Sequence, residues 1–153
     1  MMISPDTTDL RDLAYAFADA LNRHDAEALR PLASLDYVNH NPYVPPGAGP
    51  DHAVIFFEDW VRAFPDARVV CEDAYAIGTP EAGTVVGRFT YVGTFTHPII
   101  GIAPTGKRVV MRSIDIWTVR DGRFVEHWDE LNTADWFAQL QGDDPQPRTG
   151  ATA

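Results

Sequence analysis

The chain has 153 residues, 45% of them apolar and 22% charged, a balance that suits one folded domain and excludes wholesale disorder. Twelve Lys and Arg against 22 Asp and Glu leave a net charge of −10, which argues against nucleic-acid or anionic-membrane partners. A single cysteine, Cys71, excludes an intrachain disulfide framework and a thiolate zinc site.

Apolar runs fall well short of the roughly 20 residues of a membrane helix, and the polar start Met1–Asp9 does not read as a signal peptide. A cytoplasmic protein with no membrane partner is expected. Leu10, Leu13, Ala14, Phe17 and Leu21 repeat at helical spacing and predict a first helix over Asp6–Arg23, with Ser4, Pro5 and Asp6 as start signals. A short helical turn is expected at Asp25–Leu32, then a brief extended piece, Tyr37–His40. The prolines and glycines of Asn41–Pro50 forbid regular structure. A second helix begins near Asp51, buries Phe56, Trp60 and Phe64, and stops at Pro65.

Beyond Pro65 the apolar period falls from 3.6 to 2. Strands are predicted at about 68–77, Thr84–Thr96, Lys107–Val119 and Arg123–Leu131, with Asp121-Gly122 as a hairpin turn. Asn132 or Thr133 caps a last helix through Leu140, and Gly142 ends it. Helices followed by a long antiparallel meander make an α+β domain over residues 1–142. The polar, Pro-containing remainder, 143–153, reads as a flexible tail.

The chemistry concentrates in Ser113–Leu131. Two registers are open. A two-residue turn pairs Val119 with Phe124 and sets Asp115 beside Trp128. A type I turn with a Gly122 bulge pairs Val119 with Arg123 and sets Asp115 opposite His127. The second is preferred. It gathers Asp115, Trp117, Val125, His127 and Asp129 on one face and leaves Ile114, Ile116, Phe124 and Trp128 on the other, where a second subunit could cover them. Carboxylates beside an imidazole at a partly desolvated position can separate in pKa and suit general acid–base chemistry. A structural hydrogen-bonded trio is the plainer alternative.

The segment Gly101-Ile-Ala-Pro-Thr-Gly106, the strand after it, the Asp-Gly turn and Val-Glu-His-Trp-Asp129 resemble the SnoaL-like polyketide cyclase family. Tyr37-Val-Asn-His40-Asn-Pro42 and Trp60 through Phe64-Pro65-Asp66 extend the resemblance over about residues 8–142. It implies the nuclear-transport-factor-2-like fold, a cone-shaped curved antiparallel sheet with N-terminal helices on its concave face. It also implies an intramolecular aldol ring closure without metal or cofactor, with Asp129 as the acid/base. The family's partner histidine falls at Asp115 here, and His127 is the candidate to stand in for it. Another family histidine falls at Phe95, with His97 two residues on.

The expectation is thus a cofactor-free cyclase, lyase or isomerase acting on a small hydrophobic or polycyclic carbonyl compound, as a homodimer or higher homo-oligomer. Asp129, His127 and Asp115 are the candidate catalytic residues. His40, Trp60, His97 and Trp117 are the candidate substrate contacts, and no histidine pair has metal-ligand spacing. The alternatives are a hydrolase or dehydratase, such as an epoxide hydrolase, and a non-catalytic binding module on the same scaffold.

Overall fold

The computed structural model describes residues 9–147; the start signals Ser4, Pro5 and Asp6 lie outside them. Helix α1 spans Asp12–Asn22 and buries Leu13, Phe17 and Leu21, the predicted stripe. Its last residue ties it to the sheet: the Asn22 side chain donates to the Val69 carbonyl and accepts the Val69 N–H, both at 2.8 Å. A 3-10 turn follows over Ala26–Leu32, started by the Asp25 carboxylate, which accepts the Glu27 N–H at 3.0 Å. Strand β1, Ala33–Asn39, is longer than the extended piece expected there.

Helix α2 covers Asp51–Ala63 and buries Phe56 and Trp60. Strands β2 (Arg68–Thr79), β3 (Ala82–Thr94), β4 (Arg108–Arg120) and β5 (Arg123–Leu131) come next, then helix α3, Thr133–Leu140. Asn132 does not cap α3 with its side chain. Its amide instead bridges the Arg112 N–H, at 2.7 Å, and the Asp135 carboxylate, at 2.9 Å. No described helix is long and apolar enough to cross a membrane.

The α+β architecture matches the expectation, with one correction to the sheet. The strand order is β1-β5-β4-β3-β2, and β1 joins parallel to β5, so the sheet is mixed rather than wholly antiparallel. Parallel pairing needs a long crossover, which residues 40–122, with α2 and strands β2 to β4, supply here.

The hairpin corrects the preferred register. Asp121 and Gly122 both take positive φ, 51° and 75°, as a two-residue type I′ turn requires. Arg120 pairs with Arg123 and Val119 with Phe124, after which Val125 is an extra residue and Thr118 pairs with Glu126. The bulge therefore lies inside β5, not at the turn. Trp117 faces His127 and Asp115 faces Asp129. Phe124 turns inward, 3% exposed, and stacks on Trp117 with centroids 4.7 Å apart. A second extra residue, Glu72, interrupts β2. Such bulges bend strands and raise local twist.

One sheet face is covered. Val85, Phe89, Trp117 and Val119 bury completely or nearly so against Leu13, Phe17 and Leu21. Truncating a ring such as Phe89 there would cost about 3–5 kcal/mol. The other face leaves Ile114, Ile116 and Trp128 exposed, as expected for all but Phe124.

Candidate active site

The apolar inward row of β4 is interrupted by Ser113 and Asp115, 3% and 2% exposed, between Met111 and Trp117. On β5 the inward residues are Asp129, opposite Asp115 and half-buried, and His127, opposite Trp117 and buried. Asp115, His127 and Asp129 line one small cavity with Asn39, Asn41 and Tyr91. Phe56, Phe57 and Val44 close it from α2 and the loop after β1, leaving about 10 Å³, room for one water molecule.

Within the cavity the hydrogen bonds are unequal. His127 Nε2 lies 2.7 Å from Asp115 Oδ1, and its Nδ1 lies 3.1 Å from Asn39 Oδ1. The Asn39 amide is oriented by the backbone: its Oδ1 accepts the Asn41 N–H and its Nδ2 donates to the His52 carbonyl, both at 2.9 Å. Both imidazole nitrogens therefore face oxygens, and the ring stacks on Trp117 with centroids 5.0 Å apart and planes 10° apart. Asp115 Oδ2 accepts from the Ser113 hydroxyl, which leaves Ser113 Oγ to accept from Tyr91 Oη at 3.2 Å. Burial pushes the Tyr91 phenol well above its ordinary range, so it stays a neutral donor.

Asp129 differs. Its Oδ2 accepts from Asn41 Nδ2 at 2.7 Å, while its Oδ1 is buried with no hydrogen-bond partner among the described residues. Burial raises its pKa above the ordinary aspartate value of 3.8, with Asp115 adding to the rise and His127 opposing it. An unpaired carboxylate oxygen at a small cavity can take a proton from a substrate or hold a water.

Donor atoms of Asp115, His127 and Asp129 lie within 4.8 Å of one another, the spacing a cation would need. Using that set would first break the bond between His127 Nε2 and Asp115, so the residues present fit a proton network better than a metal centre.

Of the expected substrate contacts, Trp117 lies beside the cavity through its stack on His127. The structure does not bring His40, His97 or Trp60 to it. His40 lies on the outer face, stacked on Trp128 at 3.6 Å, with Nε2 2.8 Å from Glu126 Oε1. His97 is an exposed loop residue whose Nδ1 meets Thr96 Oγ1 at 3.0 Å. Trp60 is core, 2% exposed, with its ring edge-on to Tyr91. Phe95, at the family's other histidine position, is fully buried against Phe64.

Asn39, Asn41 and Tyr91 were not foreseen as site residues. A signal existed for two of them. In an extended segment Tyr37, Asn39 and Asn41 share a side and His40 takes the other; Tyr37, 3% exposed, marks that side as inward.

A family model, SnoaL-like polyketide cyclase, matches residues 11–140. The chain belongs to the SnoaL-like polyketide cyclase family. Solved structures with this fold include TsrD from Streptomyces laurentii, 28% identical over 86% of this chain and 93% of that one, with a TM-score of 0.74. AclR from Streptomyces galilaeus, described as a candidate hydroxylase, is 26% identical over 91% of this chain and 85% of its own, with a TM-score of 0.74. IdmH from Streptomyces antibioticus, described as a candidate polyketide cyclase, is 28% identical over 87% of this chain and 99% of its own, with a TM-score of 0.67. No curated protein sequence matches the chain. The SnoaL-like match spans every described strand and all three described α-helices, and includes the whole Asp115–His127–Asp129 group.

Proposed function

We propose that the chain is a cofactor-independent acid–base enzyme acting on a small polyketide-like carbonyl compound, with Asp129 as the proton-transferring group. The observation that carries this reading is the Asp129 Oδ1, buried at the cavity with no partner among the described residues. The carboxylate takes a proton from the carbon beside a substrate carbonyl, and the resulting enolate attacks a second carbonyl within the same molecule. The new carbon–carbon bond closes a ring, and Asp129 returns its proton to the alkoxide. Asp115 and His127 occupy each other, so their part is to hold the field around Asp129 rather than to meet substrate. Trp117 supports the His127 ring from behind.

A cavity of about 10 Å³ does not admit a ring system, so substrate binding requires the loop after β1 and Phe57 of α2 to move aside. The water-sized space also favours a second reading, hydrolysis or hydration by a water that Asp129 activates. Turnover in heavy-oxygen water separates the two: hydrolysis puts solvent label into product, and ring closure does not beyond the exchange seen in an enzyme-free control.

The primary test is deuterium exchange at the activated carbon of 1,3-dicarbonyl compounds in heavy water. Exchange by the parent protein that falls by about 10²-fold or more in Asp129→Asn supports the assignment. A variant as active as the parent sinks it. Binding of these compounds without any exchange leaves the protein as a binding module.

A homodimer across the outer face of β4 and β5 is part of the same proposal. Ile114, Ile116 and Trp128 are exposed there side by side, and covering such a patch is a common reason for twofold association.

A further inference from the structure

The group that holds Asp129 from outside β4 and β5 comes from the start of a loop. Asn41 is only 7% exposed, and its Nδ2 lies 2.7 Å from Asp129 Oδ2. The amide cannot be reversed without loss, because Asn41 Oδ1 accepts the Tyr43 N–H at 2.8 Å. That bond commits the nitrogen to the carboxylate. The Asn41 backbone is also anchored, its N–H donating to Asn39 Oδ1, the same oxygen that faces His127 Nδ1.

We infer that Asn41 is a positioning residue for Asp129. Its donor pins Oδ2, leaves Oδ1 as the oxygen presented to substrate, and links the seating of the loop after β1 to the charge on that carboxylate. The inference rests on the reading of Asp129 as the acid–base group. A carboxyl is symmetric about its own axis, so without an outside donor either oxygen could face the cavity and the group could swing between hydrogen-bond partners. With Asn41 in place the ionised form gains a charge-assisted bond, while the proton, when present, belongs on Oδ1.

The other groups facing Asp129 do not replace that donor. Asp115 on β4 and Glu130 on β5 are acids that oppose its ionisation, and His127 favours it. Tyr37, Tyr43 and Tyr91 sit close enough to feel its charge, yet only Asn41 makes a hydrogen bond to it among the described residues. Losing the donor would therefore raise the Asp129 titration, and replacing it by a second carboxylate would raise it further.

The test is a nuclear magnetic resonance titration of full-length protein, following the Asp129 side-chain carbon and the Asn41 side-chain amide together. In the parent, the amide signals should move with the same midpoint as the carboxyl, and Asp129→Asn should abolish that movement. Asn41→Asp keeps an acceptor for the Tyr43 N–H but removes the donor, so it separates the loop turn from the carboxylate contact. Its Asp129 midpoint should rise by about one unit or more, with a smaller rise in Asn41→Leu. Amide signals in the parent that ignore the carboxyl titration overturn the inference, and so do unchanged midpoints in folded variants. Should either variant fail to fold, the parent titration alone decides. If Asp129→Asn retains full turnover while the parent amide still follows the carboxyl, the catalytic reading fails and the positioning contact stands.

Discussion

Asp115 and Asp129 sit opposite each other on β4 and β5, yet their carboxylates have unequal surroundings. Asp115 is bonded at both oxygens, by His127 and Ser113. Asp129 is bonded at one, by Asn41, and its second oxygen is buried without a partner among the described residues. The pair thus divides into a held carboxylate and an available one, which is the separation of roles that acid–base chemistry needs.

Asp129 should make the protein less stable as pH rises. Its native pKa is raised above 3.8 by burial, so the native state keeps a proton that the unfolded chain has lost. Stability from this group is greatest below the unfolded value. It declines as pH climbs through the raised native value, then stays level. Asp129→Asn should therefore raise Tm at about pH 7, and the gain should vanish toward about pH 3. A melting series across that range checks the sign; a variant less stable at every pH contradicts it.

Asp115 and His127 form a buried pair, 2% and 4% exposed, and removing one partner strands the other. Asp115→Ala should destabilise the fold by about 3–5 kcal/mol in urea. Adding His127→Ala should then cost less than it does alone, with a coupling of about 0.5–3 kcal/mol. Additive losses would show that the two do not interact in solution.

The turn between β4 and β5 depends on left-handed backbone at Asp121 and Gly122, a region that favours glycine. Gly122 has φ of 75° and open space around a would-be Cβ, so its constraint is conformational rather than steric. Gly122→Ala should cost about 1 kcal/mol or more and leave the Asp129 titration unchanged. Equal stability of the two proteins would mean the turn relaxes to another type.

The exposed row Ile114, Ile116 and Trp128 gives the dimer proposal a direct check. Light scattering of the parent should report about twice the 17.0 kDa chain mass, and Trp128→Glu should return the monomer with Tm lowered by a few degrees. A monomeric parent at high concentration removes the proposal.

Much of this was legible in the chain before folding. The 3.6 period of Leu13, Phe17 and Leu21 marked α1, and the period of 2 through Val109, Met111, Ser113, Asp115, Trp117 and Val119 marked the inward face of β4. His127 and Asp129, two apart, had to share a side of β5. Where the extra residue of the hairpin sits was not legible. One extra residue at the turn or at Val125 leaves His127 and Asp129 on the same inward side, because pairings that differ by two residues present the same side chains inward, and only Phe124 changes side. Only packing chose between them, by burying Phe124 against Trp117. The asparagines were further from reach. Asn41 meets Asp129 across 88 residues of chain, through the parallel pairing of β1 with β5, and no local pattern encodes a contact made by strands so distant in sequence. Local period and spacing sufficed for the elements, most of their buried faces and the acidic hairpin. Which carboxylate is held and which is left free follows from packing, since it depends on donors that folding brings from elsewhere.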